Sequence, residues 1–217
     1  MTTIECQAVV FDMDGTLIDS SRATEGLWAD FAARNDVDFD ELLAFSHGRR
    51  TAETVHRFLP SRVDAIRETR AMERHELTRP TDIGEIPGAQ AFLTAIGPSR
   101  AAIVTSASRD LALRRLEAAG IRAPHILIGA HDVAVGKPSP EGYLAAFQRL
   151  GVAASDAVIF EDAPAGILAA RATGARTVVV GGYRGSESDG QLRIPDFRNA
   201  RVFWSASGLS VRLAEAS

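Results

Sequence analysis

Short, unbroken apolar runs punctuate this chain: Ala8 to Phe11, Ala101 to Val104, Ile126 to Ile128, Val158 to Phe160 and Thr177 to Val180. They are rich in Val and Ile and carry no polar alternation, which predicts strands buried on both faces, as in a parallel sheet. Between them the apolar positions recur with a helical period. Ser108 caps a predicted helix in which Ala112, Leu113, Leu116 and Ala119 share a face, with Gly120 just past its end. Ser139 and Pro140 read as cap and first position of another, which carries Tyr143, Phe147 and Leu150 and stops at Gly151. Pro164 opens a third helix that Gly174 closes. Alternating strands and helices predict an α/β fold with a doubly wound, Rossmann-like parallel sheet and right-handed crossovers.

Residues 20–85 break that rhythm. Leu27, Trp28, Phe31 and Ala32 form one apolar stripe at helical spacing, and Val55, Phe58 and Leu59 another, with no convincing buried strand among them. Residues 61–79 are crowded with charge, which predicts a helix with a largely solvated outer face. Gly84, Pro87 and Gly88 mark residues 81–88 as a return linker. The expected organisation is an α/β core domain of residues 1–19 and 86–217, with a small all-helical domain of residues 20–85 inserted after the first strand. Beyond Gly181 the pattern is less regular. Arg201 to Trp204 reads as a last edge strand, and the final residues as disordered.

Composition narrows the classes. Of 217 residues, 46% are hydrophobic and 24% charged, which excludes global disorder. The formal net charge of −4 gives no basis for binding nucleic acid or an acidic membrane. The single cysteine, Cys6, cannot form an internal disulfide, which suits a reducing compartment. With neither a basic leader nor a long apolar run, no signal peptide or membrane span is expected, and the location is read as cytoplasmic.

The chemistry-bearing residues sit at strand ends. The first strand runs into Asp12-Met13-Asp14-Gly15-Thr16, and ligands of parallel sheets bind outside the carboxyl ends of strands. Two acids one residue apart suit metal-assisted phosphoryl transfer. One attacks phosphorus; the other protonates the leaving oxygen and later takes a proton from water. A strand-ending turn also favours Asp, Gly and Thr, but this string is expected by chance in only roughly a few in a thousand chains of this length. Glu161-Asp162 follows a second strand. Asp162 with Asp12 is a candidate anchor for a hard cation such as Mg²⁺, with Glu161 as a direct or water-mediated ligand. The same pair would also suit the N-terminus of the helix at Pro164. Thr105 and Ser106 offer hydroxyls and amides to a phosphate, or simple helix capping. Lys137 is the only lysine in the chain, and is placed to neutralise a phosphoryl group and steady a nucleophilic carboxylate.

Together these segments, in this order along nearly the whole chain, resemble the haloacid dehalogenase-like (HAD) superfamily in its phosphatase branch. Asp12-Met13-Asp14-Gly15-Thr16 matches its first motif, Thr105-Ser106 the second, Lys137 the third, and Glu161-Asp162-Ala163-Pro164-Ala165-Gly166 the fourth. The resemblance implies Asp12 as a nucleophile that forms a phospho-aspartyl intermediate, and Asp14 as general acid/base. It implies Mg²⁺ held by Asp12, the main-chain carbonyl of Asp14, and Asp162, with Glu161 close by. Thr105 or Ser106, with Lys137, would bind phosphate. The helical insert corresponds to a cap that closes over the site and excludes water. Ser46-His47-Gly48-Arg49-Arg50-Thr51 looks like the cap segment of 2-deoxyglucose-6-phosphate, glycerol-phosphate and sugar or polyol phosphatases. Arg50, Arg49 and His47 are therefore candidate substrate contacts, although the same residues suit a solvated turn. The expected partner is a small-molecule phosphate ester, a sugar or polyol phosphate, with no nucleic acid and no membrane, on a monomer or weak dimer. Two other readings fit the scaffold: a β-phosphoglucomutase-like phosphomutase, which returns the phosphoryl group to the sugar, and a non-catalytic binding or regulatory protein. A dehalogenase lacks the second acid that Asp14 supplies.

Overall fold

The computed structural model describes residues 1–59, 61–78, 82–205 and 208–214. The chain opens with β1 (Thr2–Cys6), β2 (Ala8–Phe11) and the two-residue β3 (Ile18–Asp19). The helical insert follows as α1 (Ser21–Asn35), α2 (Phe39–Ser46), α3 (Thr51–Phe58) and α4 (Arg62–Thr78). It returns through β4 (Gly84–Glu85), which pairs antiparallel with β3 and so ties the entry of the insert to its exit. The rest alternates: α5 (Ala89–Ile96), β5 (Ala101–Val104), α6 (Arg109–Ala118), β6 (Ile126–Ile128), α7 (Glu141–Leu150), β7 (Ala157–Glu161), α8 (Pro164–Ala172) and β8 (Arg176–Val180). Three further strands close the described chain: β9 (Leu192–Ile194), β10 (Arg201–Ser205) and β11 (Gly208–Leu213). Among the described residues no helix is long and apolar enough to cross a membrane.

Six strands form one parallel sheet in the order β6-β5-β2-β7-β8-β9. The chain builds outward from β2 to β5 and β6, then crosses back to β7 on the other side of β2. That reversal is the switch point at which open α/β sheets bind ligands. The sheet is wound on both faces, and residue alternation explains how. Val9 and Phe11 pack on one side with Phe92 and Ile96 of α5 and Leu116 of α6. Val10, Ala102 and Ile159 pack on the other with Tyr143 and Phe147 of α7 and Ala169 of α8. Phe11, Phe92, Phe160 and Phe197 form an aromatic cluster, with Phe11 and Phe160 stacked at 5.3 Å between ring centroids. The insert has its own core of Trp28, Phe31, Ala32, Leu42, Val55, Ala65 and Met72.

Every strand predicted for the large sheet is present, and the predicted helices differ in detail. Ser108 caps α6 through the N–H of Leu111, and Gly120 follows with φ +72°. The buried face of α6, however, is Leu111, Ala112, Arg115 and Leu116, while Leu113 is exposed. The stripe is turned by about one residue because Arg115 is drawn inward by carboxylates. Helix α7 starts one position later than predicted, with Pro140 at the cap, although the Ser139 hydroxyl still accepts from the Glu141 N–H at 3.3 Å.

The predicted C-terminal edge strand is present. Arg201–Ser205 is an edge strand, but of a second, antiparallel sheet in the order β1-β11-β10. Gly208–Leu213 is ordered as the middle strand of that sheet, with Leu209, Val211 and Leu213 buried. Of the predicted segments, Arg79, Thr81 and residues 215–217 lie outside the described residues.

Candidate active site

Register brings the acids together. Phe11 of β2 pairs with Phe160 of β7, and the Asp12 N–H donates to the Phe160 carbonyl at 2.9 Å. Asp12 therefore leaves its strand beside Glu161, directly above the aromatic cluster. The carboxylates of Asp12, Glu161 and Asp162 offer oxygens that all lie within 4.8 Å of one another. Gly15 makes the approach possible. Its φ of +85° suits glycine, and a Cβ there would run into the Asp162 carboxylate.

Lys137 sits in this acidic cluster, 5% exposed, and its ammonium donates to Asp12 Oδ1 and, at 2.6 Å, to Glu161 Oε1. Burial works to lower its pKa, but the Asp12 and Glu161 charges and their hydrogen bonds outweigh that and hold it above the ordinary lysine value. Glu161 is fully engaged. Tyr143 also donates to its Oε1 at 2.9 Å, and the N–H groups of Asp162 and Ala163 donate to its Oε2 at 2.8 and 3.0 Å. Gly166 of α8 leaves room for this carboxylate, which a Cβ at that position would overlap. Burial pushes the Asp12 and Asp162 carboxyls up, and Asp162 is raised further by the charges of Asp12 and Glu161. The Thr16 hydroxyl donates to Asp162 Oδ1 at 2.9 Å, and Lys137 serves the other two acids instead. A clustered set of hard carboxylate oxygens carrying more negative charge than Lys137 offsets fits a hard divalent cation.

Asp14 points the other way, towards the insert. Its Oδ1 accepts from the Ser20 hydroxyl and from Arg115 Nη1, both at 2.7 Å. Thr105 and Ser106 follow β5 and spend their hydroxyls differently. Thr105 Oγ1 accepts from the Ala107 N–H at 3.1 Å, whereas Ser106 Oγ donates to the Gly48 carbonyl of the insert at 2.8 Å. A cavity of about 170 Å³ lies between insert and sheet, lined by Asp14, Ser106 and Asp162 on one side and by Trp28, His47 and Arg49 on the other.

Of the three predicted substrate contacts, His47 and Arg49 line this cavity. Arg49 also lies over the Phe45 ring, 4.5 Å from its centroid. Arg50 does not line it. Its guanidinium donates to the carbonyls of Val133 and Ala134, at 3.0 and 3.3 Å, in a small crevice beside Lys137 and Thr105. Sequence reasoning missed Thr16, Ser20, Glu76, Arg115 and Tyr143. Thr16 belongs to the motif already singled out, and Arg115 falls on an otherwise apolar helix face; Glu76 and Tyr143 gave no comparable signal.

Residues 6–174 match the family model for haloacid dehalogenase-like hydrolases. Hexitol phosphatase A of Escherichia coli is 38% identical over 181 residues, covering 82% of this chain and 84% of that protein. Glycerol-1-phosphate phosphohydrolase 2 of Saccharomyces cerevisiae is 35% identical, covering 81% and 75%. Among solved structures, a hydrolase from Pseudomonas syringae superposes with a TM-score of 0.77 at 25% identity, over 88% of this chain and 93% of that one. The chain belongs to the haloacid dehalogenase-like hydrolases.

Proposed function

We propose that this enzyme hydrolyses a small phosphate monoester, a sugar or polyol phosphate, by way of a phosphoryl group carried transiently on Asp12. The observation that carries the reading is the convergence of Asp12 and Asp162, at neighbouring strand ends, with Lys137, beside a cavity that Asp162 lines. Similar proteins named as hexitol, glycerol-1-phosphate and 2-deoxyglucose-6-phosphate phosphatases support the substrate class. In this reading residues 20–85 are a cap domain and residues 1–19 and 86–217 the catalytic core. The free buried Cys6 supports a cytoplasmic location.

Asp12 attacks phosphorus, held in place by its hydrogen bond from Lys137. The Lys137 ammonium also meets the negative charge of the phosphoryl oxygens. Thr105, which keeps its hydroxyl proton, donates to the phosphate, while Ser106 holds the cap through Gly48. Asp14 gives a proton to the departing alkoxide and then takes one from the water that cleaves the acyl phosphate. Asp12, the Asp14 carbonyl and Asp162 would hold Mg²⁺, which supplies charge to offset the repulsion between carboxylate and phosphate. Glu161, with both oxygens already receiving donors, adds charge beside the cation and fixes Lys137. His47 and Arg49 face the alcohol portion of the substrate across the cavity.

The test is a panel of phosphorylated sugars and polyols scored for free phosphate. Hydrolysis that Asp12→Asn and a chelator each abolish is expected. Full activity in either condition refutes the mechanism, and isomerised sugar phosphate without phosphate release would mark a phosphomutase.

A further inference from the structure

Asp14 is held from two places that both belong to the insert or answer to it. Ser20 occupies the cap position of α1, where a serine ordinarily accepts an N–H of its own helix. Here it makes no such bond and donates its hydroxyl to Asp14 Oδ1. Arg115 of α6, 7% exposed, donates one guanidinium nitrogen to that same oxygen and the other to Glu76 Oε1 on α4. Ser20 stands at the entry of the insert and Glu76 near its exit, so the entry bonds Asp14 Oδ1 directly and the exit reaches it through Arg115. Asp14, Ser20, Glu76 and Arg115 all line the cavity between insert and sheet. Glu76 Oε2 is buried without a partner.

We propose that Arg115 is a positioning residue for Asp14, and that Glu76 relays the position of the insert to it. With both donors on Oδ1, Oδ2 is the oxygen left to carry a proton to the leaving group. When the insert lifts, Arg115 loses Glu76, Ser20 moves with α1, and the carboxyl loses its fixed orientation. Proton transfer to the alkoxide is then confined to the closed state. The proposal rests on the phosphatase reading above.

Leaving-group dependence tests it. p-Nitrophenolate departs without a proton, whereas the alkoxide of glycerol phosphate needs one. In Arg115→Lys the pre-steady-state burst of p-nitrophenolate should fall less than about threefold, and single-turnover release of glycerol at least about tenfold. Glu76→Gln should shift the two substrates in the same unequal way, and the double variant should be no slower than Arg115→Lys alone. Equal slowing of both substrates would mean a merely structural role and overturn the proposal, as would unchanged glycerol release. Should Arg115→Lys fail to fold, Glu76→Gln and Ser20→Ala take its place in the comparison, and the same two outcomes decide. Activity retained in Asp12→Asn would bring down the phosphatase reading, and this proposal with it. Loss of activity there, with equal slowing in the Arg115 and Glu76 variants, overturns this proposal alone.

Discussion

At the scale of single residues, the hydroxyls of Thr105 and Ser106 are bonded differently, a difference that adjacent positions do not show in sequence. Thr105 accepts an N–H and retains its proton, whereas Ser106 gives its proton to Gly48. A hydrogen bond to a charged group contributes about 1.5–3 kcal/mol, and about 1.4 kcal/mol corresponds to tenfold. Thr105→Val should therefore lower kcat/KM by about ten- to a hundredfold, and Ser106→Ala by clearly less. Steady-state kinetics on the best substrate of the panel checks this, and the reverse order would return the phosphate contact to Ser106. The acids and the lysine were legible because their residue types are rare in such strings. Tyr143 was not. Its spacing with Phe147 marks it correctly as core, and only the fold shows that its hydroxyl reaches Glu161. Glu76 was hidden in a run of charges, because helical phase alone does not say which one turns inward.

At the scale of elements, helix α8 illustrates packing overruling propensity. Alanine is favoured over glycine inside a helix by about 1 kcal/mol, so Gly166→Ala ought to stabilise. Its Cβ would instead overlap the Glu161 carboxylate, which holds Lys137, Tyr143 and two main-chain N–H groups in place. Displacing a buried, fully bonded carboxylate outweighs the propensity gain. Lower thermal stability and lower turnover are expected together, and a variant that melts higher with full activity would contradict this account. The predicted parallel strands were legible because burial on both faces leaves an unbroken apolar signature over three to five residues. Strands β9 and β11 were not: Leu192–Ile194 carries a charged residue, Arg193, at its centre, and Gly208–Leu213 places Ser210 and Arg212 between its buried positions. Alternation of that kind describes a sheet with one wet face, and it was outweighed by the irregular chain around it.

At the scale of the whole molecule, side-chain hydrogen bonds among the described residues tie the insert to the sheet domain: Ser20 on Asp14, Ser106 on Gly48, Arg115 on Glu76, and Arg50 on the Val133 and Ala134 carbonyls. The last holds the loop that leads to Lys137, whose Ala134 and Val135 N–H groups are bonded to Glu141 at 2.8 Å. Arg50→Ala should raise hydrogen exchange at these two amides by roughly tenfold. Unchanged exchange would show that the loop is held from its own side alone. A different consequence follows from the placement of Lys137, the sole lysine of the chain and 5% exposed. Reagents that acylate primary amines meet no side-chain amine on the outer surface. Any label that enters a lysine has entered the acidic cluster itself, so a single acylated lysine reports on the site and never on the outer surface.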